Sequence, residues 1–387
     1  MADERITAAE ETAGVVARLK RRMIDDAMPL WSTVGWDHVA GGFIDRLHRD
    51  GTADAAAPRR VFVQARQIYC YAKAAQMGWY PEGRAIALKG LEHLLARAKA
   101  PDGRPGYVHR LTPDGAVLDA RRDAYDHAFI LFALATVYAL DKDAQVRAEI
   151  DALLAFLDGH LRSPHGGVHE GLPVSLPRRQ NPHMHLFEAM IACFDATHDL
   201  SFQNRAGEFF ALFLANLYDK QRHILTEYFE EDWSKIEPVS VEPGHQAEWV
   251  WLLKGFERIT GCPTGQRRAE LLASALRYRD EATGCLTDEG DATVHIRRST
   301  RRLWPQTEIA KAWTAQAESG EAGAAGAADE ARAALVRLER HYLSHPVRGG
   351  WYDQFDRDGK SLVDTIPASS FYHVLCAVTE AEQVLEG

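Results

Sequence analysis

The chain has 387 residues, 46% apolar and 26% charged, with a formal net charge of -10. This is a globular composition without the basic surface that nucleic-acid binding requires, so nucleic acid is excluded as a partner. No run reaches the roughly 18 apolar residues of a membrane span, and the N-terminus interleaves charge with apolar residues where an export signal would be uninterrupted, so a cytoplasmic protein without a membrane partner is expected.

Taken in chain order, the first 31 residues have helical spacing and lead to Gly41-Gly42-Phe43, a turn-and-strand segment that closes with HRDG at Gly51. A helix carrying Gln64-Ala65-Arg66 follows, and Ala85, Leu88, Leu91, Leu95 and Ala98 mark another. The pattern then returns. Glycine-led segments start at Gly103, Gly166, Gly284 and Gly349, about 62 residues or a multiple of it apart, and a glycine-free counterpart lies between Gln221 and Tyr228. TPDG at Gly115 and DRDG at Gly359 close two of them in the manner of a short hairpin. A second series, Pro182, Pro243, Pro305 and Pro367, has the same period and marks helix starts, where proline's missing N–H costs nothing. The biased stretch from Glu318 to Ala334 reads as a loop running into a helix. Five cysteines (Cys70, Cys193, Cys262, Cys285, Cys376) without a CxxC pair predict reduced, mostly buried thiols.

Six helix-hairpin-helix units account for residues 1–387 as one domain, and twelve helices closing into an all-α (α/α)6 barrel is the economical architecture. The proline-started helices would form the inner ring, with their N-termini and the short β-hairpins at one mouth. Polar residues in those first turns then share a pocket: Arg66, Asn181 as an N-cap, His185, His245 with Glu248 three residues on, Glu308 and His373. His245 and His373 lie 128 residues, about two units, apart, so both face that mouth.

The strings FVQARQIY, YDHAF, QNPHMHLFEA, PGHQAEWVWLL, RLWPQTE and PASSFYHVLCAVTE resemble, in order and spacing, the N-acylglucosamine 2-epimerase family, which includes aldose-ketose isomerases. The resemblance implies an (α/α)6 fold, an isomerase of small carbohydrates without cofactor or metal, and His245 and His373 as acid/base groups. It also implies substrate contacts for Arg66, Tyr125, Asn181, His185, Trp304 and Glu308. Such histidines suit proton transfer at C2 of an opened sugar, where an unperturbed pKa near 6.5 lets imidazole take and return a proton at neutral pH. His373 is expected to be the C2 base and His245 the acid, an assignment the sequence allows to be reversed, with Glu248 fixing the His245 tautomer as a carboxylate does in a triad. Trp304 or Trp351 would face the C–H side of the sugar.

Other readings of the same residues are simpler. His183 is expected to be structural, and His183 with His185 cannot share a metal because alternate helical residues point about 200° apart. No HExxH, GxGxxG or P-loop pattern is present. Arg297, Arg298, Arg301 and Arg302 read as a solvated rim, and Trp249 and Trp251 as core. An aldose-ketose isomerase, first of all mannose to fructose, leads. A sugar 2-epimerase is the near alternative, and a glycoside hydrolase using Glu188, Glu248 or Glu308 the distant one. A homodimer is compatible with the sequence, which leaves oligomeric state open.

Overall fold

The computed structural model describes residues 12, 14–318 and 324–386, so part of the biased stretch, 319–323, lies outside the described residues. Among the described residues, twelve helices follow in outer-inner alternation. They are α1 (15–33) and α2 (Val61–Gln76), α3 (Gly83–Ala98) and α4 (Ala124–Asp141), and α5 (144–161) and α6 (Gln180–Thr197). The second half comprises α7 (200–217) and α8 (Pro243–Thr260), α9 (Gly265–Leu276) and α10 (Leu303–Ala317), and α11 (Ala324–His341) and α12 (Ser369–Leu385). The even-numbered helices pack successively, and α12 returns to α2.

Burial separates the two rings. Every residue of α4 from Asp126 to Val137 is buried, as an inner helix surrounded on all sides must be. Outer α5 buries a stripe of Val146, Ile150, Leu153 and Leu154 and leaves its other face to solvent. The inner helices α4, α6 and α8 end at left-handed residues, Lys142, His198 and Gly261, which turn the chain back. Asp143 and Asp199 then cap the next outer helices by accepting from Gln145 N and Ser201 N.

The loops close the ring in a way the hairpin reading did not foresee. The two or three residues ahead of each inner helix pair antiparallel with the loop of the following unit: Arg59–Arg60 with Arg110–Leu111, Arg122–Asp123 with Gly171–Leu172, and Arg178–Arg179 with Tyr228–Phe229. Ser240–Val241 likewise meets Glu289–Asp291, Arg301–Arg302 meets Gln354–Phe355, and Thr365–Pro367 returns to Arg46–His48. Six staples thus run around one mouth, and the last joins the first unit to the sixth. Within a unit, TPDG turns between Arg110–Leu111 and Val117–Asp119 as expected.

Details of the helix starts differ from expectation. Pro243 opens α8, but Pro182 and Pro305 are third residues of their helices, and Pro367 belongs to the strand before α12. Asn181 is the second residue of α6 and not its N-cap, which is Arg179. Four cysteines are buried and Cys262 is partly so, all as free thiols.

Candidate active site

A helix presents residues four apart on one face, so an inner helix offers its second and sixth residues to the barrel axis together. Counting α12 from Ala368, the second residues are Phe62, Tyr125, Asn181, Gly244, Trp304 and Ser369, and the sixth are Arg66, Phe129, His185, Glu248, Glu308 and His373. Most of these line one cavity of about 210 Å³ at the helix N-termini, joined by His245, Glu242 and Arg302. Glycine at 244 is required for space, because a Cβ there would meet Trp304 at 2.5 Å.

Each histidine of this cavity has its own carboxylate. His373 Nδ1 lies 2.8 Å from Glu308 Oε1, His185 Nδ1 2.8 Å from Glu188 Oε2, and His245 Nδ1 2.9 Å from Glu227 Oε2. An Nδ1–H donated to a carboxylate leaves Nε2 as the working nitrogen. The environments then diverge. Burial lowers the His373 pKa to about 3, Arg66 adds to this, and the Glu308 hydrogen bond does not offset them. Burial acts against charge on His245 too, but the carboxylates of Glu227 and Glu242 outweigh it and raise the pKa to about 9. His373 is therefore neutral and His245 cationic at neutral pH. Two titrating groups pushed apart in this way make an acid and a base. Trp304 lies between them with its ring tilted to both, the centroid 4.8 Å from His245 and 5.9 Å from His373. His245 Nε2 also approaches the Asn181 side-chain nitrogen at 3.2 Å, while Asn181 Oδ1 is buried without a partner. Turning that amide over satisfies both groups, since the oxygen then accepts from the imidazolium.

The floor is a buried ionic cluster. Lys311 Nζ is 2.6 Å from Glu308 Oε2, both side chains being fully buried. Although burial opposes its ionisation, this ammonium and His373 hold Glu308 below the usual carboxylate range. Glu248 has no such partner: burial and the Glu308 charge raise it to about 8, and its Oε1 makes no hydrogen bond. Protonated, it is a donor facing the cavity. Arg66 donates to Tyr125 OH (2.7 Å) and Ser369 O (3.2 Å) beneath the rings of Phe62, Phe129 and Tyr372.

Several expectations need correcting. Glu248 does not hold His245; Glu227, eighteen residues upstream, does. Glu308 does not line the cavity and acts on His373 from behind it. Trp351 is core, 5.2 Å from Trp31 and stacked on it, so of the two tryptophans Trp304 alone offers a ring to the cavity. Arg301 is buried and ties the loop at Asp356 and Asp280, whereas Arg302 reaches the cavity; Arg297 and Arg298 are the exposed pair. His183 is structural as expected, accepting from Val168 N through Nε2.

Glu227 escaped the sequence reading although a signal for it exists. Three residues after Gly42, Gly106, Gly167, Ile224, Cys285 and Gly350 the loops read Asp45, His109, Glu170, Glu227, Asp288 and Asp353, acidic in five of six. Each acid ties its loop to the start of the next inner helix. Asp45, Glu170 and Asp288 accept from the backbone N–H of Arg60, Arg179 and Arg302 and pair with the same side chains. Asp353 accepts from Ser370 Oγ. In the His245 unit Glu242 stands where those arginines are, and Glu227 turns its carboxylate to the imidazole instead. A structural staple has become the partner of a titrating group.

Carboxylates and imidazoles near enough to share a cation occur here, as Glu248, Glu308 and His373 and as Glu227, Glu242 and His245. Their charge is already met by Lys311, by Arg302 and by the Nδ1–H groups. Among the described residues no helix is long and apolar enough to cross a membrane.

The sequence model of the N-acylglucosamine 2-epimerase (GlcNAc 2-epimerase) family matches residues 42–377. A mannose-6-phosphate isomerase of Rhizobium meliloti (strain 1021) is 35% identical over 380 residues, covering 94% of this chain and 95% of that one. A D-mannose isomerase of Thermobifida fusca is 30% identical over 314 residues, 74% of each chain. The cellobiose 2-epimerase structure from Spirochaeta thermophila DSM 6192 superposes with a TM-score of 0.86 at 21% identity, covering 97% of both chains.

Proposed function

The chain belongs to the N-acylglucosamine 2-epimerase family and is a sugar isomerase or epimerase, and we propose that it interconverts a free aldohexose and its ketose, D-mannose and D-fructose first. The observation that carries this reading is the pairing of one neutral and one cationic histidine on either side of one tryptophan.

In the opened sugar, neutral His373 removes the C2 proton through Nε2, with Glu308 holding its Nδ1–H. Electrons move from the C2–H bond into the C1–C2 bond, and negative charge develops on O1. Cationic His245 is the group suited to meet that charge, with Arg66 nearby. O1 takes the proton of His245, the O2–H proton passes back to His245 as the C2=O bond forms, and the proton on His373 is delivered to C1, giving the ketose and restoring both groups. One base on one face suffices for this, whereas epimerisation needs C2 to be reprotonated from the other face.

Cavity size and charge narrow the substrate. About 210 Å³ lies below the roughly 300–1,000 Å³ of drug-sized pockets, which suits a single hexose and not a disaccharide. The arginines at the rim are each committed to carboxylates, Arg60 to Asp45, Arg179 to Glu170, and Arg302 to Glu242 and Asp288, while Arg66, deeper in the cavity, is held by Tyr125 OH and Ser369 O. A phosphate at the rim would have to break such a pair, so an unphosphorylated sugar is favoured over the substrate that the Rhizobium meliloti relative's name contains.

The test is incubation with D-mannose, D-mannose 6-phosphate and cellobiose in heavy water, without metal or nucleotide, followed by product identification. Fructose with some label at C1 is expected from mannose alone. Product labelled at C2 only, or turnover restricted to the phosphorylated sugar, would sink the proposal. Release of reducing ends from glycosides would point to hydrolysis. That chemistry is disfavoured here because Glu188 and Glu308 are already held by His185, Tyr372, His373 and Lys311.

A further inference from the structure

The barrel has a second and larger cavity, about 690 Å³, lined by the C-terminal halves of the inner helices and so at the end away from the histidines. A ring of equivalent positions, the thirteenth residue of each inner helix, forms its wall: Lys73, Thr136, Ala192, Gly255, Ala315 and Glu380. Three consecutive helices present only alanine or glycine there, which keeps open a space that ordinary side chains would fill.

Several polar groups around this space are uncommitted, although Gln76 donates to Thr136 O and the hydroxyls of Thr136 and Thr314 bond their own helices. Arg258 pairs with Asp195 at 2.6 Å, but among the described residues the side chains of Lys73, Lys254, Glu318 and Glu380 make no hydrogen bond or ion pair. Donors and acceptors of both signs are thus available, with no excess of either. Trp251 and Tyr69 add aromatic surface. Trp251 is half-buried, unlike Trp249, which is core and donates to Gln180 Oε1.

We propose that this cavity binds a neutral polyhydroxylated molecule, a sugar or sugar alcohol. A hydroxyl both donates and accepts, so it can take a proton donor from lysine and give one to glutamate at once. An anion would find Glu318, Glu380 and Asp195 against it, and an apolar ligand would strand the lysines. The site also touches the catalytic layer. Glu188 forms part of the cavity wall, while its Oε2 holds His185 Nδ1 and its Oε1 accepts from Tyr372 OH. An occupant therefore lies one side chain from the hexose cavity. The inference stands apart from the proposed reaction, since it concerns the other end of the barrel.

Gly255→Leu tests it. A Cβ at 255 meets nothing closer than Ile191 at 3.7 Å, and leucine is a better helix former than glycine, so the variant fills the cavity without strain. The measurement is equilibrium dialysis with radiolabelled D-mannitol, which has no carbonyl and is not turned over as an aldose, alongside aldose turnover. The wild type should bind one equivalent of mannitol more than Gly255→Leu, with kcat on the aldose equal in both. Equal stoichiometry in the two proteins overturns the proposal. Ala192→Met, from the neighbouring helix, repeats the experiment if Gly255→Leu fails to fold. If no sugar is turned over by either protein, the proposed reaction fails while the mannitol difference still decides this site.

Discussion

Replacing Glu227 by glutamine isolates the group that sets the charge of His245. The amide keeps the shape and can still accept from Nδ1–H, but it removes the negative charge that, with Glu242, raises the histidine to about 9. A hydrogen bond to a charged group is worth about 1.5–3 kcal/mol, and 1.36 kcal/mol corresponds to one pKa unit, so the variant should lose roughly one to two units. His245 would then titrate between about 7 and 8. The reaction needs this imidazole protonated, so the alkaline limb of kcat/KM should move from near pH 9 to that range. Activity at pH 6 should stay close to wild type, while at pH 8.5 it should fall on the order of tenfold. The acid limb should not respond, because His373 is lowered to about 3 and remains neutral throughout. Ketose formation followed from pH 5 to 10, with circular dichroism melts at each pH, makes the measurement. A uniform loss across the whole range with an unmoved alkaline limb would refute the assignment and leave Glu227 as scaffold only.

The remaining predictions follow from the same geometry. Lys311→Met leaves Glu308 buried without its cation, a change that costs about 3–5 kcal/mol, which for 387 residues corresponds to a Tm fall of roughly 4–6 °C; an unchanged Tm in calorimetry would contradict it. His373→Asn should abolish turnover while leaving mannitol bound at the hexose cavity, as judged by dialysis, because only the base is removed. The folded pKa of His245 lies above its unfolded value of about 6.5, so its contribution to stability is complete below pH 6.5 and is lost as pH rises through about 9. His373 has the opposite sign: its depressed folded pKa removes stability as pH falls from about 6.5 toward 3. Chemical denaturation of His245→Gln should therefore show a weaker fall in stability above pH 7 than wild type.

The fold is legible because its determinants are local and repeated. Glycine-led loops and prolines recur at one period, and a continuous buried run such as Asp126 to Val137 is what an inner helix requires. The strand staples are harder to foresee, since a two-residue pairing such as Arg178–Arg179 with Tyr228–Phe229 has no periodicity to reveal it and depends on which unit lies next around the ring. At the site, single residues on the right helix turn can be named, because register alone carries His185, Glu248 and His373 to the axis. Their partners are less accessible. Helical spacing assigns Glu248 to His245, yet three residues along a helix brings two side chains to the same face without making them meet, and the Nδ1 of His245 turns outward to the loop, where Glu227 waits. His185 and Glu188 have the same spacing and do meet, which shows how little the spacing decides. What decides is the repeat. The acid at this loop position, present in five of the six loops, is a fixture of the architecture, and the side chain it meets at the next helix start determines what it does. Arginine at 60, 179 and 302 makes it a staple, and histidine at 245 makes it a regulator of charge. The unit with His109 in the acidic position extends the argument, for there the carboxylate has moved to Asp126, in the place of His245, and the pair keeps its contact, at 2.6 Å, with its members exchanged. An imidazole–carboxylate contact at this position is thus something the scaffold supplies twice, and it borders the cavity proposed for the hexose only at His245, where Gly244 leaves room for the Trp304 ring.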